Sequence, residues 1–376
     1  MADAVMRHRV LLILAAVLLV AIGGGTLVAA NVMAEQRVEQ HGREAVHANG
    51  GRNTKARGDA NGPQDEFHRF RLGAIDGERL SPNRDDFAAR TASDGPLLLF
   101  LPATRARPAE YQRFLTTALG DGYHVLGLDY WNLGRTLSGT CEADPHCYGA
   151  VQRNRFDGSR PSDFSAVSPA GSIVSRFRDA IAHLDDVDPD GGWGRFVTPA
   201  KENPGKGQDA VDTISWKDIV VAGHSQGGGE AAYISHIRPV LGALMFSSPV
   251  ESLGPVHAAW MDRPGRTPPA RMYAIDDVRD VFGPRIRGSW RALGLDTPAT
   301  PGGAAGPWRT DTAAPPEGSD PHAILTDIRV GTPAESHSRT IKDTTPLDAS
   351  GQPRMEGLWQ WLLHRFAPHG ASSGES

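Results

Sequence analysis

Residues Gly223-His224-Ser225-Gln226-Gly227 place one serine between two glycines, an arrangement that can present a nucleophile. The apolar run Asp218 to Ala222 leads straight into it. A helical segment from Gln226 to His236, with Ala231, Ala232, Tyr233 and Ile234, leads straight out. In a chain with 43 glycines the Gly-x-Ser-x-Gly pattern says little by itself, so its weight comes from that setting. A strand passing at once into a helix must bend sharply, which strains the serine backbone and pushes its hydroxyl outward. Gly223 and Gly227 lack side chains that would collide across such a bend. The new helix also offers free N–H groups and a positive dipole end beside the serine. The bland alternative is a glycine-rich strand–helix turn with no chemistry.

The neighbouring elements must bring a base and an acid to that hydroxyl. Leu97 to Leu101 is a continuous apolar run, as a strand buried on both faces requires. A helix from about Pro108 to Leu119 follows, with Pro at its start and Gly120 at its end. Tyr123 to Tyr130 reads as a strand, Trp131 to Pro169 as a long irregular insertion, and Ser172 to Leu184 as an amphipathic helix. Leu241 to Ser247, Arg271 to Ile275 and His322 to Ile328 are further strand candidates, and Met355 to Phe366 a closing helix. Phe67 to Leu72 and Ala74 to Leu80 carry weaker strand signals. Strands alternating with helices predict an α/β fold, a mostly parallel sheet covered on both faces. In such a sheet ligands bind beyond the strand C-terminal ends, so reactive groups follow their strands.

That rule sorts the 14 histidines. His124 precedes a strand, His236 and His364 lie in or at the ends of helices, and His224 sits inside the bend, where it packs or hydrogen-bonds. His322 begins the last strand. At about 3.3 Å per residue, a six-residue strand would hold it roughly 20 Å from the reactive edge. His337, in the Glu-Ser-His-Ser segment after that strand, is the favoured base.

From about Pro96 to Phe366 the chain resembles the α/β-hydrolase superfamily. Gly-His-Ser-Gln-Gly-Gly is a frequent elbow among its bacterial esterases and lipases. Leu-Phe-Leu-Pro followed by a helix, a Cys pair after the next strand, and Gly-His-Ser-Gln-Gly-Gly-Gly resemble a group of exported bacterial hydrolases more narrowly. The resemblance implies a parallel central sheet with long loop insertions over its C-terminal edge, and the order serine, acid, histidine. The acid then follows Arg271 to Ile275, where Asp276, Asp277 and Asp280 all qualify. The run Asp280-Val-Phe-Gly-Pro fits the family layout best, while Asp276 or Asp277 could cap a turn. Glu251 is a further substitute. An oxyanion hole needs two backbone donors. The N–H of Gln226 is one, and Ala103 or Thr104 supplies the other, because Pro102 has none. Many relatives carry glycine there, and Ala103 departs from that pattern.

The formal net charge of −5 with no basic run gives no electrostatic reason to expect nucleic acid or an anionic membrane surface as partner. Arg7, His8 and Arg9 precede the apolar run Val10 to Ile22, and small residues continue to Ala34. That order predicts export, through a cleaved signal peptide or a retained anchor within residues 1–34. The membrane is then touched only through this segment. Residues 35–65 read as a flexible linker, 66–370 as the folded domain and 371–376 as a disordered tail. In an oxidising compartment the only two cysteines, Cys141 and Cys147, predict a small-loop disulfide. A zinc site with His146 is the alternative, but a fourth ligand is not evident.

These residues predict a serine hydrolase acting on a small-molecule carboxylic ester through an acyl-serine intermediate, without cofactor or metal. Acyl transfer to an alcohol by the same three residues, and a non-catalytic binding protein on the same fold, remain open.

Overall fold

The computed structural model describes residues 67–92, 94–198, 208–296, 306–329 and 331–367. The expected leader or anchor, linker and terminal tail lie outside the described residues.

The core is one sheet of nine strands: β1 (His68–Phe70), β2 (Asp86–Ala89), β3 (Leu97–Leu101), β4 (His124–Gly127), β5 (Ile219–His224), β6 (Gly242–Phe246), β7 (Met272–Asp277), β8 (Trp308–Thr310) and β9 (Ala323–Thr326). Their spatial order is β1-β2-β4-β3-β5-β6-β7-β9-β8. β2 runs antiparallel to both its neighbours, and every pairing from β4 through β8 is parallel. The apolar runs at β3, β6 and β9 form strands within the expected segments, while β5 and β7 each continue two residues beyond theirs, to His224 and Asp277. Ala74 and Ile75 instead pair with Glu78 and Arg79 in a separate two-stranded ribbon. β2 and β8 lie outside the predicted segments. β2, Asp-Phe-Ala-Ala, begins with a buried aspartate whose carboxylate accepts the Asp129 N–H, so it shows neither alternation nor a long apolar run.

Both faces of the sheet are covered. Leu98, Phe100, Val220, Ala222, Leu244 and Phe246 pack with helices α1 (Gln112–Gly120) and α9 (Glu356–Leu363) in one apolar cluster. Phe114 of α1 meets Phe246 edge-on at 5.0 Å and Trp359 of α9 at 5.6 Å. The alternate strand residues Leu97, Leu99, Val221 and Ala243 are fully buried as well, which the two-residue period of a strand requires of a sheet sandwiched between helices.

The segment expected to be irregular, 131–169, contains two helices, α2 (Leu137–Cys141) and α3 (Pro145–Asp157). Asp144 caps α3 by accepting from the N–H groups of His146 and Cys147, Pro145 follows it, and left-handed Gly158 (φ 74°) ends the helix. The Cys141–Cys147 disulfide ties the two helices, so the predicted pairing is present, while His146 is exposed. The remaining helices are α4 (Ile173–Val187), with Ser172 as its cap, α5 (Gln208–Asp212), α6 (Gln226–Ile237), α7 (Gly283–Ala292) and α8 (Pro333–Arg339).

A buried polar cluster docks α3 on α6. Gln152 Nε2 donates to the Gly229 carbonyl (3.0 Å) and to Glu251 (2.7 Å), and Arg155 pairs with Glu230 at 3.1 Å. Trp260 Nε1 donates to the other Glu251 oxygen at 3.1 Å. Burial pushes Glu230 up to about 7, and burial together with the Glu230 charge pushes Glu251 up to about 8. A carboxyl whose folded-state pKa is raised binds its proton more tightly when folded, so stability falls as pH rises from the unfolded value through the folded one. The glutamine of Glu251→Gln carries no charge at any pH. Its amide nitrogen cannot accept, so it forfeits one of the bonds from Gln152 and Trp260 at every pH. Urea denaturation should find the variant's stability relative to the parent rising by at least about 1.4 kcal/mol, the equivalent of one pKa unit, from pH 4 to pH 8. A stability difference that does not change between the two pH values would contradict the assigned titration.

Candidate active site

The site starts from a backbone constraint. β5 ends at His224, α6 begins at Gln226, and Ser225 between them has φ 53° and ψ −115°. Its N–H donates to the Phe246 carbonyl of β6, and its own carbonyl accepts from Gly229, both at 2.9 Å. The glycines allow the close approach. A Cβ on Gly223 would lie 2.3 Å from the Gly227 backbone, and one on Gly227 would lie 2.0 Å from the Leu101 carbonyl oxygen at the end of β3. Only hydrogen fits at either position.

Ser225 Oγ lies 2.8 Å from His337 Nε2, and His337 Nδ1 lies 2.7 Å from Asp280 Oδ2. The three residues come from the ends of β5, β7 and β9, at the same edge of the sheet. His337 stands on α8, not in the loop expected from sequence. Thr332 and Glu335 form a capping box that starts this helix, the next one after β9. The Phe282 ring stands edge-on against the imidazole at 4.9 Å. The second Asp280 oxygen accepts the Phe282 N–H at 2.8 Å, which fixes the carboxylate in a tight turn.

The other aspartates have separate places. Asp277 accepts from the N–H groups of Arg279 and Ile328, both at 3.0 Å, and so holds turns after β7 and β9. Asp276 is fully buried beside Asp280, and neither of its oxygens receives a conventional donor. Two adjacent buried carboxyls disfavour double ionisation, so burial and the neighbouring Asp280 charge push Asp276 well above the usual range. As the protonated partner it can donate to Asp280, and that hydrogen bond favours the Asp280 anion. Burial is nevertheless the largest influence on Asp280 and pushes it up to about 7, with the hydrogen bonds from Asp276 and the Phe282 N–H opposing the rise. Glu251 is held in the cluster under α6. His322 stands at the opposite edge, its Nδ1 on the Met272 carbonyl that begins β7.

The segment after β3 is clamped from several sides. Tyr130 donates to the Pro102 carbonyl (2.9 Å), and Asn132 Nδ2 donates to the carbonyls of Ala103 (2.6 Å) and Ala106 (2.9 Å). Thr104 Oγ1 donates to Gln226 Oε1 at 3.1 Å, bringing all three oxyanion candidates into one patch. The Ala103 N–H differs from expectation, because it donates to Tyr111 Oη at 3.2 Å. Thr104 is therefore the candidate donor from this segment. Tyr111, Tyr130 and Asn132 carried no positional signal in the sequence, since each acts through a hydrogen bond to a backbone group.

Among the described residues, no group of three or more His, Cys, Asp or Glu side chains could hold a metal ion. Desolvation pushes His337 down to about 4, which favours the neutral imidazole that can accept a proton at Nε2. Ring-proton NMR should show one histidine, identified by its loss in His337→Asn, staying uncharged from pH 8 to below pH 6. Titration of that ring near the free value of about 6.5 would contradict the assignment.

No protein-family model and no curated protein sequence matches the chain. Among solved structures it is similar to an esterase of Pyrococcus furiosus, at 13% identity over 73% of this chain and 88% of that one, with a TM-score of 0.35. It is also similar to a carboxyl esterase of the fungus Tuber melanosporum, at 10% identity over 88% and 97% of the two chains, with a TM-score of 0.40. A third is an esterase of Thermogutta terrifontis, at 13% identity over 61% and 78%, with a TM-score of 0.31. Likenesses this distant leave the architecture to be judged from the chain itself. A parallel sheet carrying a strained serine on the turn from a central strand into a helix is the α/β-hydrolase fold.

Proposed function

We propose that the chain is a serine hydrolase that cleaves a small-molecule carboxylic ester through an acyl-serine intermediate. The observation that carries this reading is the unbroken relay from Ser225 Oγ through His337 to Asp280, with Ser225 on a strained bend. Ser225 Oγ attacks the ester carbonyl carbon while His337 Nε2 takes the hydroxyl proton. The carbonyl oxygen becomes an oxyanion, which the N–H groups of Gln226 and Thr104 stabilise. As the intermediate collapses, the C–O bond to the leaving alcohol breaks, and His337 Nε2 returns the proton to that oxygen. Water then attacks the acyl-serine, again giving its proton to Nε2, and the carboxylic acid departs as Ser225 recovers its hydrogen. Asp280 keeps the proton of the neutral ring on Nδ1 and supports the cation formed in each half-reaction.

The proposed setting is outside the cytoplasm. The charged-then-apolar order of residues 7–34 supports export, and the Cys141–Cys147 disulfide fits an oxidising compartment.

A fluorophosphonate should label Ser225 in the wild-type protein and leave Ser225→Ala unlabelled. Hydrolysis of p-nitrophenyl esters should fall by about 10⁴-fold in kcat in Asp280→Asn, whose amide favours the wrong imidazole tautomer. Failure of the folded wild-type protein to react with the probe would overturn the proposal.

A further inference from the structure

Tyr111 and His224 lie behind the candidate site, with relative exposures of 0% and 1%, and the relay described above uses neither. Three hydrogen bonds string them between two parts of the site. The Ala103 N–H reaches Tyr111 Oη at 3.2 Å, Tyr111 Oη lies 2.9 Å from His224 Nδ1, and His224 Nε2 lies 2.8 Å from the backbone carbonyl oxygen of His337.

The proton positions along this chain follow from the partners. A backbone carbonyl can only accept, so His224 Nε2 must carry hydrogen. Burial and the nearby His337 ring hold His224 well below its usual range, so the ring is neutral and Nδ1 can only accept. Tyr111 then donates to Nδ1, and burial pushes its phenol upward, which keeps that proton in place. The same phenolic oxygen accepts from Ala103. Every bond therefore points one way, from Ala103 through Tyr111 and His224 to the His337 carbonyl. The other His224 tautomer would set a lone pair against that carbonyl, and a fully buried polar pair left unmade in this way is costly.

A second set of contacts ties the same two segments. Asp343, shortly after α8, accepts from the N–H groups of Gln112 and Arg113 at 3.1 and 2.9 Å. It thereby caps α1, whose own N-cap residue, Tyr111, supplies no side-chain cap. Lys342 Nζ pairs with Glu110 at 2.5 Å. The start of α1 is thus fastened to the turn after α8 at the surface and through Tyr111 and His224 inside.

We propose that Tyr111 and His224 are positioning residues: their one-way hydrogen-bond chain holds the His337 backbone in register with the oxyanion segment and, by occupying the Ala103 N–H, leaves Thr104 to bind the oxyanion. This rests on the serine-hydrolase reading.

The test uses the full chain and the variants Tyr111→Phe, His224→Leu, His224→Gln and Tyr111→Phe/His224→Leu. The readouts are the second-order rate of Ser225 phosphonylation by a fluorophosphonate, kcat and KM for p-nitrophenyl acetate, and the thermal midpoint. Tyr111→Phe should lower the phosphonylation rate and kcat by about tenfold with KM within about twofold, the signature of misplaced groups and not of lost binding. The double variant should be no slower than His224→Leu, because links of one chain do not add. His224→Gln, which can still donate to the His337 carbonyl, should recover part of the loss. Unchanged rates in Tyr111→Phe, or losses that add in the double variant, would overturn the proposal while wild-type labelling upheld the hydrolase reading. A faster Tyr111→Phe would also overturn it, since the freed Ala103 N–H would then be serving the oxyanion. An unlabelled wild type would remove both readings together. Should His224→Leu not fold, Tyr111→Phe, which loses a single oxygen atom, decides the matter.

Discussion

The rest of the site depends on the contact between α6 and the end of β3. Ser225 can hold φ 53° because Gly227 lets the first turn of α6 sit against the Leu101 carbonyl, where a methyl group would lie 2.0 Å from the oxygen. A non-glycine residue in such a conformation costs about 1–3 kcal/mol, and it persists only where its surroundings over-determine it. Here they do. The Ser225 N–H is held by β6, its carbonyl by α6, and the strand before it by pairing on both sides. The same close approach brings the free N–H end of α6 to the Pro102–Thr104 segment, so a single packing contact sets both the hydroxyl and the candidate oxyanion donors.

Burial then decides how the titrating groups behave. His337, Asp280 and Asp276 are all removed from water, and each shifts toward its uncharged form for that reason first. Asp280 is nevertheless the carboxyl best able to ionise, because it collects the Phe282 N–H and the favourable contact from Asp276. Asp276 is raised by the same neighbour and retains its proton. Two chemically identical side chains four residues apart are thus separated into anion and acid by the donors each receives, which fits the single orienting carboxylate that the proposed mechanism needs.

This division explains how far the sequence could be read. Ser225, His337 and the region of the acid were reachable because each obeys a positional rule: a bend between strand and helix, or a place just past a strand C-terminus. Among Asp276, Asp277 and Asp280 the family layout favoured Asp280, the one that meets His337, but the N–H groups that set the three apart are not recorded in spacing. The strands β3, β5 and β6 were legible because burial on both faces demands unbroken apolar runs. α3 was not, although Asp144-Pro145 and Gly158 mark its ends. Its buried positions include Gln152, Asn154, Arg155 and Asp157, so it carries no apolar stripe to betray its period. Nor did spacing mark Tyr111 and Asn132, whose partners include backbone atoms supplied by the fold.

The polar interior of α3 also bears on what the insertion does. A loop attached by apolar contacts alone could slide over the site, whereas α3 is attached by directional bonds to atoms of α6 one turn beyond Ser225. Gln152 binds the Gly229 carbonyl, and Arg155 binds Glu230 while lying 5.1 Å over the Trp131 ring. Removing either partner of the Arg155–Glu230 pair leaves the other buried and uncompensated, which is costly. The disulfide joins α2 to α3 from the other side. The position of α3 is therefore referred to the helix that begins at Ser225.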